Sequence, residues 1–324
     1  MIAVQSLSRH FGTIKAVDDI SFNVGKGEIL GFLGPNGAGK STTMKMITTF
    51  LAPTSGTASV GGCDIIEQPL EVRSKIGYLP ESSPSYKDMN VYDFLMFAAE
   101  IRGYDGAERI DRVKKIMETC NLKEVAYQQI DTLSKGFRQR VGFAQAFLHD
   151  PEYLILDEPT DGLDPNQKQE VRNLIKSMGR EKCIILSTHI LEEVEAVCTR
   201  AIIIGEGKIV ADGSPADLKA KSRRHGAVYL ELEDVDCNEV LTSLEKVQGV
   251  DKAEKIESAA SAAEEGGKAG KLARVRVFPL FGKSIAHEIA SFVRQKNWKL
   301  ERFAVEEGDL NEVFYNLTKG GAAK

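Results

Sequence analysis

The run GPNGAGKS, from Gly34 to Ser41, has the residue types and the spacing needed to hold a polyphosphate. Glycines at Gly34, Gly37 and Gly39 let backbone N–H groups turn inward around phosphate oxygens, and Pro35, Asn36 and Ala38 complete the loop. The run fits G-x-x-x-x-G-K-[ST] in full. It follows a stretch of strand character (Glu28–Leu33) and opens one of helix character (Lys40 to about Phe50), the context that pattern requires. A helix N-terminus adds partial positive charge at the same place. Lys40 is expected to reach the β- and γ-phosphates of a nucleotide and Ser41 to ligate Mg²⁺, with Thr42 beside them in the first helical turn.

A second acidic signal lies at YLILDEP, Tyr153 to Pro159. Apolar residues lead into Asp157 and Glu158 at the end of a strand. Asp157 can hold a Mg²⁺ water shell, and Glu158 can polarise an attacking water. Taken alone this is also the pattern of a surface turn after a buried strand. Following a complete phosphate loop, it reads as the acidic half of an ATPase, and the two motifs establish nothing narrower than that.

Five further segments narrow the class. LSKGFRQR (Leu133–Arg140) resembles the signature of the ABC ATPases, whose usual form is L-S-G-G-Q, and lies about twenty residues before the acidic strand. DGLD (Asp161–Asp164) resembles the family's D-loop, STH (Ser187–His189) its switch histidine, and GYLPE (Gly77–Glu81) its Q-loop. Phe11 sits where the family has an adenine-stacking aromatic; by itself it would read as core. With the phosphate loop and acidic strand these make seven motifs in the family's order over about residues 1–220. The chain resembles the ATP-binding subunit of an ABC transporter.

That resemblance implies a P-loop α/β fold with antiparallel and helical subdomains, ATP and Mg²⁺ as cofactors, and a head-to-tail pair of nucleotide-binding subunits. Ser134 and the Gly136 N–H would touch the γ-phosphate bound by the other copy, and Asp164 would cross the interface. Glu158 would be the general base, His189 a γ-phosphate contact, and Phe11 the adenine platform. Ser41, Asp157 and Glu81 would face the metal. Three positions depart from the usual pattern: Lys135 and Phe137 replace the third-position Gly and fifth-position Gln of the signature, and Glu81 replaces the Q-loop Gln. The last adds negative charge beside Asp157 and Glu158. YLPE, LSKG[FY]-x-Q-R and a C-terminal extension together resemble one bacterial exporter subgroup whose permeases are encoded separately.

Composition agrees with a globular protein acting on a membrane only through a partner. Of the 324 residues 42% are hydrophobic and 27% charged, with a net charge of −5, which gives no pull toward nucleic acid. No stretch approaches the ~18 apolar residues of a membrane span, and the N-terminus lacks a signal peptide's basic and apolar regions. Five scattered cysteines include no C-x-x-C pair, which fits reduced thiols rather than a metal site. The expected place is the cytoplasmic side of the cell membrane. The alternative, a soluble ABC-type ATPase acting on ribosomes or DNA, usually carries two cassettes or a long coiled-coil insertion; this chain has neither.

The elements must bring these motifs together. Alternation at Ile20, Phe22 and Val24 predicts a half-buried antiparallel strand, with a partner at Ile2–Leu7. Strands are expected at Gly56–Val60, Lys75–Leu79, Tyr153–Leu156 and Cys183–Ser187, and a hairpin at Ala201–Ile204 and Lys208–Ala211. Helices are expected at Val91–Arg102, with Asn90 as N-cap, and at Gly106–Cys120, Asn166–Met178 and Ile190–Val197; another should start near Lys135. Tyr92, Phe94 and Phe97 read first as core of a helical subdomain and second as the lining of a groove for a permease. KSRR (Lys221–Arg224) reads as a solvated linker between residues 1–220, the ATP-binding domain, and 221–324, an accessory α+β domain of βαββαβ order, ferredoxin-like with an extra helix. Ser258–Gly270 reads as a mobile loop and the GGAAK tail as disordered.

Overall fold

The computed structural model describes residues 1–82, 86–256, 272–280 and 283–319; the Ser258–Gly270 segment and the GGAAK tail lie outside them. The chain divides into two compact units, the first built on Met1–Pro215 and the second on Ala216–Asn316.

The first unit contains two sheets. The alternating N-terminal residues form β1 (Ile2–Phe11) and β2 (Ile14–Val24), paired antiparallel with Ile2 opposite Val24 and Val4 opposite Phe22. β4 (Ser55–Val60) pairs with the other edge of β1, and β5 (Cys63–Asp64) completes the order β2-β1-β4-β5. Ile20, Phe22 and Val24 are buried while Ser21 and Asn23 are exposed, as a sheet with one wet face requires.

The second sheet holds β3 (Ile29–Leu33), β6 (Ile76–Leu79), β7 (Tyr153–Asp157), β8 (Cys183–Thr188), β9 (Arg200–Gly205) and β10 (Lys208–Gly213) in the order β10-β9-β3-β8-β7-β6. All neighbours are parallel except the β9–β10 hairpin. Its turn is Glu206-Gly207, both at positive φ (49° and 79°), the conformation a tight hairpin demands. β3, β7 and β8 are buried along their whole length, which is why they read as near-continuous apolar runs. Register matters most: Asp157 lies opposite Ser187 on β8, and Leu33 opposite Thr188. The loops leaving β3, β7 and β8 therefore emerge side by side at the sheet's carboxyl edge, where α/β folds bind ligands.

Helix α1 (Lys40–Ile47) starts as expected but stops short of Phe50, because Thr48 Oγ1 donates to the Met44 carbonyl and Thr49 turns to φ 61°. α2 (Pro69–Lys75) was not expected; seven residues are too few to establish a helical period, although Pro69 stands at its first position, where proline suits a helix start. α3 (Val91–Ile101), capped by Asn90 Oδ1 accepting from the Asp93 N–H at 2.8 Å, and α4 (Gly106–Thr119) agree with the sequence reading to within a residue at each end. α5 (Lys135–Phe147), α6 (Pro165–Gly179) and α7 (Leu191–Val197) also stand where expected. The short α8 (Pro215–Lys219) follows β10.

In the second unit β11 (Val228–Glu233), β12 (Val250–Lys255), β13 (Leu272–Pro279) and β14 (Lys299–Val305) form an antiparallel sheet in the order β12-β13-β11-β14. α9 (Cys237–Leu244) follows β11 and α10 (Ala286–Gln295) follows β13, giving βαββαβ; α11 (Leu310–Lys319) comes last. Val228, Leu230, Val275, Val277, Ile289 and Val293 are central to its core, with Trp298 and Phe303 packed against it. KSRR is solvated only in part: Lys221 and Arg223 are exposed, but the other two are held. Ser222 is buried and donates to Glu312 at 2.6 Å, and Arg224 pairs with Asp309 at 3.1 Å, so local sequence polarity was answered by partners some ninety residues on.

Candidate active site

The loop from Gly34 to Gly39 wraps the N-terminus of α1. Gly39 stands at φ 108°, and a Cβ there would come within 2.4 Å of the Ala16 carbonyl, so no other residue fits without moving the backbone. The chain thus reaches Lys40 with its side chain turned back over the loop. Lys40 is 6% exposed; its ammonium donates to the carbonyls of Gly34 (2.8 Å) and Pro35 (3.3 Å) and lies 3.5 Å from Glu158 Oε1.

The acidic strand delivers its two carboxylates in different ways. Asp157 is the last residue of β7 and is buried; it accepts from Ser41 Oγ at 3.1 Å and from Ser187 Oγ. Glu158 has left the strand at φ 49°, and its N–H is held by Ser187 Oγ (3.0 Å) and the Ser187 carbonyl (3.2 Å). That left-handed step turns its carboxylate out of the sheet and into the cleft. Its Oε2 lies 3.0 Å from His189 Nδ1, so with that nitrogen protonated the imidazole donates to Glu158. Asn36, Lys40, Ser41, Glu158, His189 and Glu81 are among the residues lining a polar cleft of about 330 Å³. Burial, and the Asp157 and Glu81 carboxylates, push the nearby Tyr78 phenol well up.

Among the described residues no three His, Cys, Asp or Glu cluster as a protein-only metal cage. The pair of oxygens from Ser41 and Asp157 suits Mg²⁺ nonetheless, since that ion takes few protein oxygens and completes its shell with phosphate and water.

Ser134, Gly136, Asp164 and Phe11 do not line this cleft. Ser134 is exposed and caps α5, accepting from the Phe137 N–H at 3.3 Å. Gly136 is packed so closely that a Cβ would meet the Gln167 amide at 2.5 Å. Asp164 caps α6, accepting from Gln167 N–H at 2.9 Å. Phe11 is 47% exposed, with the Arg9 guanidinium 4.7 Å above its ring. Sequence reasoning gave no role to Asp161, which lines the cleft and bonds to Lys135 Nζ at 2.9 Å, an interaction that holds its carboxyl below the usual range. It also gave none to Ser187 as the clamp on Asp157 and Glu158; only the β7–β8 register could have revealed it.

A second concavity in the same unit, about 1120 Å³, is lined by aromatic and aliphatic side chains including Phe50, Leu70, Tyr86, Phe94, Phe97 and Ile101. The α3 aromatics are split: Phe94 is 3% exposed and belongs to the core, whereas Phe97, 37% exposed, faces the groove with Tyr86 edge-on at 5.5 Å. Tyr92 instead packs on Tyr127.

The family model described as "ABC transporter" matches residues 17–161. The linearmycin resistance ATP-binding protein LnrL of Bacillus subtilis is 32% identical over 98% of both chains. The probable multidrug ABC transporter ATP-binding protein YbhF of Escherichia coli is 39% identical over 68% of this chain, a match spanning only 38% of that relative's length. A solved structure described as the ATP-binding subunit of an ABC transporter superposes with a TM-score of 0.62 at 31% identity, over 68% of this chain and 92% of that one.

Proposed function

The chain belongs to the ABC transporter ATP-binding proteins, and on that premise we propose that it hydrolyses ATP between two copies of itself to energise export through a separately encoded membrane permease. The observation that carries this reading is the meeting of Lys40, Ser41, Asp157, Glu158 and His189 around one cleft. Lys40 and the loop N–H groups bind the β- and γ-phosphates. Ser41 and Asp157 hold Mg²⁺, with Glu81 at the cleft's edge, and the ion neutralises charge on the phosphate oxygens when bound. Glu158 takes the proton of the attacking water, and His189 fixes the Glu158 carboxylate and contacts the γ-phosphate. Phe11 stacks on adenine.

Ser134 and Gly136 serve the nucleotide held by the other copy, which accounts for their position outside their own cleft. At that edge the N-terminus of α5 is free to face an anion. Lys135, the departure from the usual signature glycine, pairs its ammonium with Asp161 of its own chain, while Ser134 stays exposed and Gly136 is packed against Gln167.

No helix of the described residues is long and apolar enough to cross a membrane, so the force must be passed to a partner. The aromatic groove beside α3 is the surface offered to the permease, on the cytoplasmic side. The second unit is an accessory module. Action on ribosomes or nucleic acid is not favoured, given the acidic net charge and relatives named for transport and resistance.

The test is the variant Glu158→Gln with ATP and Mg²⁺. Turnover should fall by about 10²–10⁴-fold, the usual worth of a general base, while the protein moves to dimer mass in light scattering. A variant that stays monomeric, or that hydrolyses at the wild-type rate, overturns the reading.

A further inference from the structure

One buried carboxylate outside the cleft touches both segments that carry its chemistry. Glu193, on α7, is 2% exposed. Its Oε1 accepts from Thr160 Oγ1, and its Oε2 accepts from Thr188 Oγ1 at 2.9 Å. Both threonines are themselves buried, at 3% and 0% exposure. Thr160 stands two residues after Glu158 and next to Asp161, on the loop leaving β7. Thr188 immediately precedes His189 at the end of β8, and its Oγ1 also accepts from the Ile190 N–H at 3.0 Å. Glu193 thus ties the loop of the base to the loop of the histidine, one carboxylate oxygen to each.

Two neutral hydroxyls offset only part of the cost of burying a carboxylate, so fold stability alone does not account for this residue. Geometry offers another reason. Glu158 and His189 come from different strands and meet at 3.0 Å, and Glu158 stands in a left-handed conformation that its surroundings must hold. Ser187 fixes that conformation from the near side. The Glu193 bridge fixes the same two loops one step further from the sheet.

We propose that Glu193 is a positioning residue for ATP hydrolysis, setting the spacing between Glu158 and His189 through Thr160 and Thr188; the proposal rests on the reading of Glu158 as base. Both hydrogen bonds of the Glu193 carboxylate go to the base and histidine loops, so its loss should act on turnover and leave nucleotide binding alone.

The experiment is steady-state ATPase kinetics on the full chain, with bound ATP per chain measured in parallel. Glu193→Met keeps length and removes both acceptors. Its kcat should fall about tenfold, as misplacement of a base by a fraction of an ångström allows, with the KM for ATP within about twofold of wild type. Glu193→Gln keeps one acceptor oxygen and presents an amide that a threonine hydroxyl can accept from, so kcat should recover to within about threefold of wild type. In the double variant Thr188→Val/Glu193→Met the losses should not multiply, because both remove one bridge. A wild-type kcat in Glu193→Met, a fall matched by equal loss of nucleotide-bound chains, or multiplying losses in the double variant would each overturn the proposal. Should Glu193→Met fail to fold, Thr160→Val and Thr188→Val carry the same test, and unchanged kcat in both overturns it. A wild-type chain without turnover removes the hydrolysis reading itself and this bridge with it; wild-type turnover beside an unaffected Glu193→Met removes the bridge alone.

Discussion

The polar cleft and the aromatic groove of the first unit are built on opposite principles. The cleft is the smaller, about 330 Å³ against about 1120 Å³, and its central charges, Lys40, Asp157 and Glu158, are buried and mutually held: Lys40 by two carbonyls and Glu158, Asp157 by Ser41 and Ser187, Glu158 by Ser187 and His189. In the groove the large side chains stand open, with Phe50 at 76%, Leu70 at 72% and Ile101 at 69% exposure. A site that must stabilise charge needs its dipoles fixed before the ligand arrives. A site that must be gripped by another protein needs apolar area left uncovered. Under the proposed function, catalytic order and mechanical coupling fall to separate surfaces of one fold.

The comparison breaks first at Lys40. Lys40→Ala removes a buried cation from the phosphate loop and leaves Glu158 without its ammonium neighbour. ATP affinity should fall by about 10- to 100-fold, the worth of one or two charge-assisted hydrogen bonds, in a calorimetric titration with Mg²⁺ present. Unchanged affinity would show that the cleft's buried charge is structural and that the nucleotide binds elsewhere.

The cleft was far more legible in sequence than the groove, and the reason is physical. A phosphate loop is local: Gly39 must be glycine because of its own φ and one nearby carbonyl, and the spacing to Lys40 and Ser41 is covalent. Asp157 and Glu158 are likewise adjacent along the chain. What stayed hidden was whatever depended on strand register, such as Ser187 opposite Asp157, or on loops meeting in space, such as Lys135 with Asp161 and Glu193 with Thr160 and Thr188. The groove combines three hard cases. Its wall includes Leu70 on α2, a helix too short to announce itself. Phe50 lies beyond the early end of α1. On α3, one helical turn separates Phe94 in the core from Phe97 at the surface, and apolar periodicity alone does not say which neighbour is missing. For the same reason KSRR looked solvated until Glu312 and Asp309 were brought to it.

The next break tests the groove. Phe97→Asp places a charge among Tyr86, Phe94 and Ile101, where a partner would have to bury it. Association with membranes carrying the permease should weaken by about 30-fold, in line with loss of one aromatic anchor, measured by cosedimentation. Wild-type sedimentation of that variant would detach the groove from the permease and return the α3 aromatics to a purely structural role.

The smallest effect concerns the groove's inner edge. His149 Nε2 lies 3.1 Å from the carbonyl of Ile76, a groove residue, while among the described residues its Nδ1 has no hydrogen-bond partner. Burial first, and then the Arg102 guanidinium, push the imidazole down from 6.5 to about 4, so it stays neutral in the folded chain where an unfolded chain would be protonated. Above pH 6.5 the ring is neutral in both states and the full stability is present. As pH falls from 6.5 toward 4 the unfolded chain binds the proton first, and stability is lost across that window. His149→Gln can still donate to the Ile76 carbonyl but does not titrate. Its melting temperature should therefore fall less steeply than that of the wild type between pH 6.5 and 4, and parallel slopes would show that His149 is not what makes this edge of the groove acid-sensitive.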